Sequence, residues 1–182
     1  AQAIAEIEAA AARGGRFVLL RADFDSMADV KRLADDIRKM TRRIDVLVNN
    51  AGGVRDRIMI TEEGTEATFA ANHLAPFLLT RELMPVLKAS AARLAEGTVR
   101  VIAVSSSAHR RSQGLDFNDL QSLDCGNAVA AYCQAKLANI LYTRELARRV
   151  KADGIVAQAM HPGVVNSNFA SHGDQAMQQH MA

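Results

Sequence analysis

Short apolar runs alternate with longer amphipathic segments along most of this chain. The runs are rich in Val and Ile, and polar or small residues follow each of them, which is typical of buried strands. They cover residues 16–22, 44–48, 98–104 and 155–160. Strands separated by helices predict an α/β fold with a parallel sheet and helices on both faces.

Four helices are expected around these strands. They cover residues 1–12, 26–42, 63–92 and 128–152. Ser26 is a suitable N-cap for the second helix, because its hydroxyl can accept a bond from a free backbone N–H. Pro76 and Pro85 should bend the third helix, since each removes a backbone donor. Gly154 should end the fourth, which a polar loop at 108–127 precedes.

Composition predicts one domain covering residues 1–182. The chain is 49% hydrophobic, and its net charge of +2 is too small to indicate a nucleic acid or an anionic membrane as partner. Since no apolar run approaches the ~18 residues of a membrane span, no membrane segment is expected. Cys125 and Cys133 are too few for a disulfide framework or a zinc site, which favours the cytoplasm. Cys133 is either a redox thiol or, as we favour, a small space-filling residue.

Tyr132 and Lys136 form the most informative pair. Residues four apart on a helix share one face, with Cβ atoms about 6 Å apart. An ammonium that close should lower the pKa of the phenol, which could then donate or take a proton near neutral pH. The alternative is that the pair simply lies on a half-exposed helix face.

Polar and small residues also follow three of the predicted strands. Asn49-Asn50-Ala51-Gly52 follows the second strand, Ser105-Ser106-Ser107 the third and His161-Pro162-Gly163 the fourth. Asn72 interrupts an apolar helical segment. Because parallel α/β sheets bind ligands beyond the carboxyl ends of their strands, these residues predict a ligand site there.

With these motifs in this order, the chain resembles the short-chain dehydrogenase/reductase family from about Ala1 to about Phe169. Tyr132 follows Ser106 by 26 residues, and this long loop is similar to that of the retinol-dehydrogenase-like branch. The resemblance implies a Rossmann-like, doubly wound sheet. It also implies an NAD(P)-dependent oxidoreductase that interconverts a carbonyl and a primary or secondary alcohol by hydride transfer.

The resemblance assigns roles to four residues. Tyr132 would be the general acid/base, and Lys136 would lower its pKa and bind the nicotinamide ribose. Ser106 would hydrogen-bond the substrate oxygen, although Ser105 and Ser107 are neighbouring candidates for that role. Asn72 would hold a water that links Lys136 to solvent; the alternative is a helix Asn that caps a kink beside Pro76. No metal is needed, because the cofactor carries the hydride.

The cofactor implied is NADP or NAD, with NADP favoured by the branch. The contacts that the resemblance implies are Asp23, Phe24, Asn50, Ala51, Gly52, Tyr132, Lys136, Val165 and Ser167. Asn49 is expected to tie the sheet together instead. A homodimer through the helices at 63–92 and 128–152 is also implied.

The Gly-rich turn with which the family cradles the cofactor pyrophosphate is not found among the eleven glycines. We therefore expect an internal fragment of a longer reductase, incomplete at both ends. In the family order, two further strands would lie between 16–22 and 44–48. The segment 16–22 should then be displaced or only nominally ordered, with the other three strands forming the intact sheet. Such a chain should bind cofactor weakly and be catalytically silent alone.

Two other classes compete with this interpretation. His161 with a serine of 105–107 could form a hydrolase pair, but the Gly-x-Ser-x-Gly turn of such enzymes is not found. The chain could also be an inactive reductase fragment or a non-catalytic interaction protein.

Overall fold

A computed structural model describes residues 2–11, 15–124 and 127–163. Its sheet has three parallel strands in the order β1-β2-β3. These are β1 (Val46–Asn49), β2 (Arg100–Val104) and β3 (Val156–Met160). In register, Leu47 lies beside Val101, and Val101 beside Ala157. The predicted parallel α/β architecture and three of its strands are confirmed.

The strand predicted at 16–22 is wrong, because residues 15–23 have no regular secondary structure. An alternating apolar pattern forms a strand only where a neighbouring strand offers ladder partners. Leu20 and Ala22 instead pack their side chains against the main core without joining the sheet. The other three predicted strands form the sheet without this segment, as expected.

Five α-helices occur in the described ranges. They are α1 (Gln2–Ala10), α2 (Met27–Met40), α3 (Ala67–Phe69), α4 (Ala75–Ala91) and α5 (Ala128–Val150). A π turn at Ala70–Leu74 joins α3 to α4, and short 3-10 turns occur at Ser107–Arg111 and Lys151–Asp153. Of the helices described, none combines the length and apolar character that crossing a bilayer needs.

The beginning of α2 is capped twice. The Ser26 hydroxyl accepts from the Asp29 backbone N–H at 3.3 Å, which confirms the predicted N-cap. The Glu63 carboxylate accepts from the N–H groups of Met27 and Ala28 at 2.9 and 3.1 Å. Glu63 therefore caps α2. The prediction that Glu63 begins the next helix is wrong.

The next helix begins four residues later, at Ala67, where Glu66 is the N-cap. Glu66 is fully buried, and its carboxylate accepts from the Phe69 N–H at 2.6 Å. The predicted disturbance at Pro76 takes the form of the π turn, which ends just before it. The helix continues through Pro85.

The main core lies on one face of the sheet. There α2 and α4 pack against each other, and α5 packs on β2 and β3. Leu83 and Leu87 of α4 are completely buried in this core, so truncating either to alanine should cost about 2–5 kcal/mol. On the opposite face, Val46 and Val48 are about half exposed. The core thus holds α5 against the ends of β2 and β3.

The last helix ends as predicted. Residues 151–153 continue α5 as a 3-10 turn, and Gly154 follows with φ of +72°. This left-handed conformation favours glycine because it has no Cβ.

Candidate active site

The candidate site lies where β1 and β2 end beside α5. The backbone of α5 places Tyr132, Cys133 and Lys136 in buried positions, although these are polar or reactive side chains. Residues three and four apart share a helix face, so Tyr132 and Lys136 point to the same side.

Tyr132 is 8% exposed, and its phenol hydrogen-bonds with the Ser106 side chain. Ser106 lies two residues beyond β2. The site therefore joins a strand end to the helix face at a phenol, a group that can exchange a proton with a ligand oxygen.

Lys136 is 3% exposed, and its ammonium donates to the Val104 carbonyl at 3.0 Å. Burial lowers its pKa from 10.5 to about 8. The Nζ atom lies 5.5 Å from the centroid of the Tyr132 ring. Lys136 is thus a buried cation that loses its proton at a pH only slightly above neutral, where an ordinary lysine stays charged.

The sequence predicted a lowered pKa for Tyr132, and this is wrong for the protein without ligands. Burial raises the pKa of Tyr132 above 10, whereas the hydrogen bond from Ser106 lowers it. Desolvation disfavours the phenolate more than this hydrogen bond favours it. The spacing of the two residues along the helix predicted that Tyr132 lies near Lys136. It could not predict how strongly burial removes water from the phenol and so raises its pKa.

The three neighbouring serines have different surroundings. Ser105 is buried, and its hydroxyl donates to the Lys136 backbone carbonyl at 2.8 Å, which joins β2 to α5. Ser106 contacts the Tyr132 phenol. Ser107 is exposed and begins a 3-10 turn. Of the three, Ser106 has the hydroxyl that meets Tyr132.

Asn72 is 1% exposed and lies in the π turn. Its Nδ2 donates to the carbonyls of Gly53 and Thr68, each at 2.8 Å. Its Oδ1 is buried without a hydrogen-bond partner. Because a buried acceptor without a partner is costly, this Oδ1 is suited to accept a hydrogen bond from a ligand or a water.

Gly52 brings backbone close to this atom. A Cβ on Gly52 would lie 2.5 Å from Asn72 Oδ1 and 3.4 Å from Lys136 Nζ. Only glycine fits without a shift in the site. Asn50 and Ala51, just before it, are exposed beyond β1, so a ligand can reach their backbone. Asn49 is buried, and its Nδ2 donates to Thr80 Oγ1 at 2.9 Å, which ties the sheet to α4.

The turn after the displaced segment lies beside the same strand end. An Asp25–Arg55 ion pair at 2.5 Å joins it to the loop that follows β1. Asp23 is exposed, and its carboxylate accepts from the Asp25 N–H at 2.9 Å. Phe24 is partly buried and packs against the main core. Asp23 is thus more open to a ligand than Phe24.

Three further residues named by the sequence are Val165, Ser167 and His161. Val165 and Ser167 lie outside the described residues. His161 is exposed after β3, and no hydrogen bond within the described ranges joins it to a serine of 105–107.

A loop of residues 112–124 leads from the Ser106 segment towards α5, and the Gln134 side chain hydrogen-bonds with it at several points. The Gln134 amide accepts from the Asp116 N–H at 2.8 Å. Its nitrogen lies 3.0 Å from the Asp119 carbonyl and 2.8 Å from the Ser122 hydroxyl. Gln134 is buried two residues after Tyr132, so the loop is attached to the same helix.

Sequence reasoning missed Asn139 and His73. Asn139 is buried on α5, and its amide contacts both the Asn72 carbonyl and the His73 ring, each at 2.9 Å. The signal was available, because Asn139 lies three residues after Lys136 and seven after Tyr132, on the same helix face.

Comparison with known proteins identifies the family. The short chain dehydrogenase family profile matches residues 1–178. Retinol dehydrogenase 13 of Homo sapiens is 41% identical over 151 residues, which are 82% of this chain and 44% of that protein. Retinol dehydrogenase 14 of Homo sapiens is 37% identical over 87% of this chain and 45% of that protein. The chain thus spans about half the length of these relatives.

Solved structures agree. The Pseudomonas aeruginosa RhlG/NADP active-site complex superimposes with a TM-score of 0.69 at 28% identity, covering 94% of this chain and 62% of that one. Sequence, strand order and superposition together show that the chain belongs to the short-chain dehydrogenase family.

Proposed function

We propose that this chain carries the proton-transfer residues of an NAD(P)-dependent oxidoreductase that interconverts a carbonyl and an alcohol, as relatives named retinol dehydrogenases suggest. The observation that carries the proposal is the convergence, at one edge of the sheet, of Tyr132, its hydrogen-bonded Ser106, buried Lys136 and the unpartnered Asn72 Oδ1. Similar solved structures hold either NADP or NAD, and we favour NADP because of the resemblance to the retinol-dehydrogenase-like branch.

The residues present fit a nicotinamide nucleotide. Asn50 and Ala51 are exposed beyond β1, and Gly52 leaves no room for a side chain next to Asn72 Oδ1 and Lys136 Nζ. Asp23 is open beside the same strand end. When bound, the cofactor would supply or accept the hydride. Contacts at Val165 and Ser167, from residues outside the described ranges, are part of the same proposal.

The neutral phenol of Tyr132 suits the acid role in reduction. Burial raises its pKa, so the proton is in place at neutral pH. Ser106 would share a substrate oxygen with Tyr132 and hold it in position for proton transfer. As the proton leaves, the Ser106 hydroxyl and the nearby Lys136 ammonium stabilise the phenolate.

Lys136 would return the proton. With a pKa of about 8, its ammonium exchanges protons close to neutral pH more readily than an ordinary lysine. Asn72 Oδ1, which has no hydrogen-bond partner, would accept from a water that connects Lys136 to solvent.

Substitution of the two tyrosines tests the assignment. The assay uses the longest form of the protein that reduces a carbonyl. In it, Tyr132→Phe should lower kcat by about 10²–10⁴-fold, the usual effect of losing a positioned acid. Nucleotide affinity should be nearly unchanged. Lys136→Ala should weaken both turnover and nucleotide binding. Tyr142→Phe is the matched control, since it removes the other phenol of α5 and should leave turnover close to that of the parent.

Nucleotide binding separates an oxidoreductase from a non-catalytic interaction protein. NADPH fluorescence should change on titration with this chain, at nucleotide concentrations up to the millimolar range because weak affinity is expected. No saturable binding, or parent-like turnover by Tyr132→Phe, would contradict the proposal. A homodimer through α4 and α5 and a cytoplasmic location remain further parts of the proposal, which light scattering and localisation of a tagged protein can test.

A further inference from the structure

The π turn leaves one backbone acceptor without its usual partner. Pro76 has no N–H, so it cannot donate to the Asn72 carbonyl four residues earlier. The Asn139 side chain takes that place, because its Nδ2 donates to the Asn72 carbonyl at 2.9 Å. A residue of α5 thus completes the turn that contains Asn72.

This contact fixes the orientation of the Asn139 amide. With Nδ2 committed to the Asn72 carbonyl, Oδ1 faces His73 Nδ1 at 2.9 Å. An amide oxygen only accepts, so Nδ1 must carry a proton. Burial lowers the pKa of His73, which favours the neutral ring. The structure therefore specifies the Nδ1–H tautomer, with Nε2 unprotonated.

Aromatic side chains enclose the ring on its other sides. The His73 centroid lies 5.2 Å from that of Phe69, 6.3 Å from Phe77 and 6.2 Å from Tyr142. Packed on these rings, the imidazole has little freedom to rotate away from Asn139.

We propose that His73 and Asn139 are positioning residues for Asn72, an inference that rests on the oxidoreductase function proposed above. His73 orients the Asn139 amide, and Asn139 holds the π turn. The turn keeps Asn72 Oδ1, which has no hydrogen-bond partner, near Lys136. Neither His73 nor Asn139 needs to touch substrate or cofactor.

The first test measures the tautomer of His73 in the unmodified chain. Nitrogen-15 NMR at neutral pH, with His73 assigned by a His73→Gln variant, should show a protonated Nδ1 and a bare Nε2. A neutral ring with the proton on Nε2 would overturn the proposal, because the amide of Asn139 could then not be oriented as described. This measurement needs no enzymatic activity.

The second test is a double-mutant cycle. Asn139→Leu should lower kcat about tenfold, because the Asn72 carbonyl loses its donor and the π turn no longer holds Asn72 in position, with nucleotide affinity changed less than about twofold. It should also accelerate hydrogen exchange of the Ala75 amide, which donates to the Ala70 carbonyl across the π turn. His73→Leu should have a smaller effect, and the double variant should match Asn139→Leu alone.

Thr143→Val is the matched control. The Thr143 hydroxyl is buried one turn further along α5 and donates to the Asn139 backbone carbonyl at 2.7 Å, so its loss leaves the Asn139 amide in place. Kinetics and Ala75 exchange should stay near those of the parent. Additive effects of His73→Leu and Asn139→Leu would overturn the proposal. If no saturable nucleotide binding is found, the proposed function fails, while the tautomer and exchange results still decide the positioning roles.

Discussion

Replacing Lys136 by methionine should stabilise the protein at neutral pH. Burial lowers the pKa of Lys136 from 10.5 to about 8. At about 1.4 kcal/mol per pH unit, the charged ammonium therefore costs about 3 kcal/mol at pH 7. Loss of the hydrogen bond to the Val104 carbonyl offsets about 1 kcal/mol of the gain. The net gain of about 2 kcal/mol should raise the Tm by about 4–8 °C in a chain of 182 residues.

The pH dependence gives this prediction its signature. The unfolded lysine keeps its ordinary pKa of 10.5, so between pH 8 and 10.5 the unfolded chain binds more protons than the folded one. The parent therefore gains stability as pH rises through that window, and the advantage of Lys136→Met shrinks. Urea unfolding followed by circular dichroism at pH 7, 8, 9 and 10 measures it. Lys151→Met, at an exposed lysine, is the control. A Met variant less stable than the parent at pH 7, or a difference independent of pH, would refute the reasoning.

Three further predictions concern the same region. Gly52→Ala should destabilise the fold by about 1–3 kcal/mol, because its Cβ would lie 2.5 Å from Asn72 Oδ1; unchanged urea midpoints would contradict this. Ser105→Ala should cost about 1 kcal/mol through the lost bond to the Lys136 carbonyl, with Ser107→Ala near neutral in the same unfolding assay. Burial holds the pKa of His73 below 6.5, so the free energy of unfolding should decrease as pH falls below 6.5, by up to about 1.4 kcal/mol per pH unit. For His73→Phe, the free energy of unfolding should change less between pH 6.5 and 5.

The strands and helices could be predicted wherever the pattern of apolar residues reflected packing against a neighbouring strand or helix of the fold. The strands at 44–48, 98–104 and 155–160 were found within two residues at each end. The segment 16–22 has a strand-like pattern but no pairing, which a local pattern cannot reveal. Glu63 was misassigned because its contacts are with α2, more than thirty residues earlier in the chain.

The sequence predicted which residues form the candidate site, but not the direction in which the pKa of Tyr132 shifts. Spacing placed Tyr132 and Lys136 on one face, yet the pKa of the phenol depends on how much water reaches it. Ser105, Ser106 and Ser107 were equivalent in sequence, and only the direction of each hydroxyl separates them. Roles for these residues stay predictions until the variants are measured.

The attachment of the 112–124 loop to Gln134 divides that loop into two parts for protein engineering. Phe117, at the tip, is 81% exposed, whereas the backbone on both sides of it is bound by the Gln134 amide. An inserted peptide between Phe117 and Asn118 should therefore leave Tyr132 in place, while deletion of Asp116 or Ser122 should not. Variants that change the length of this loop can do so at the tip and keep the anchored flanks unchanged.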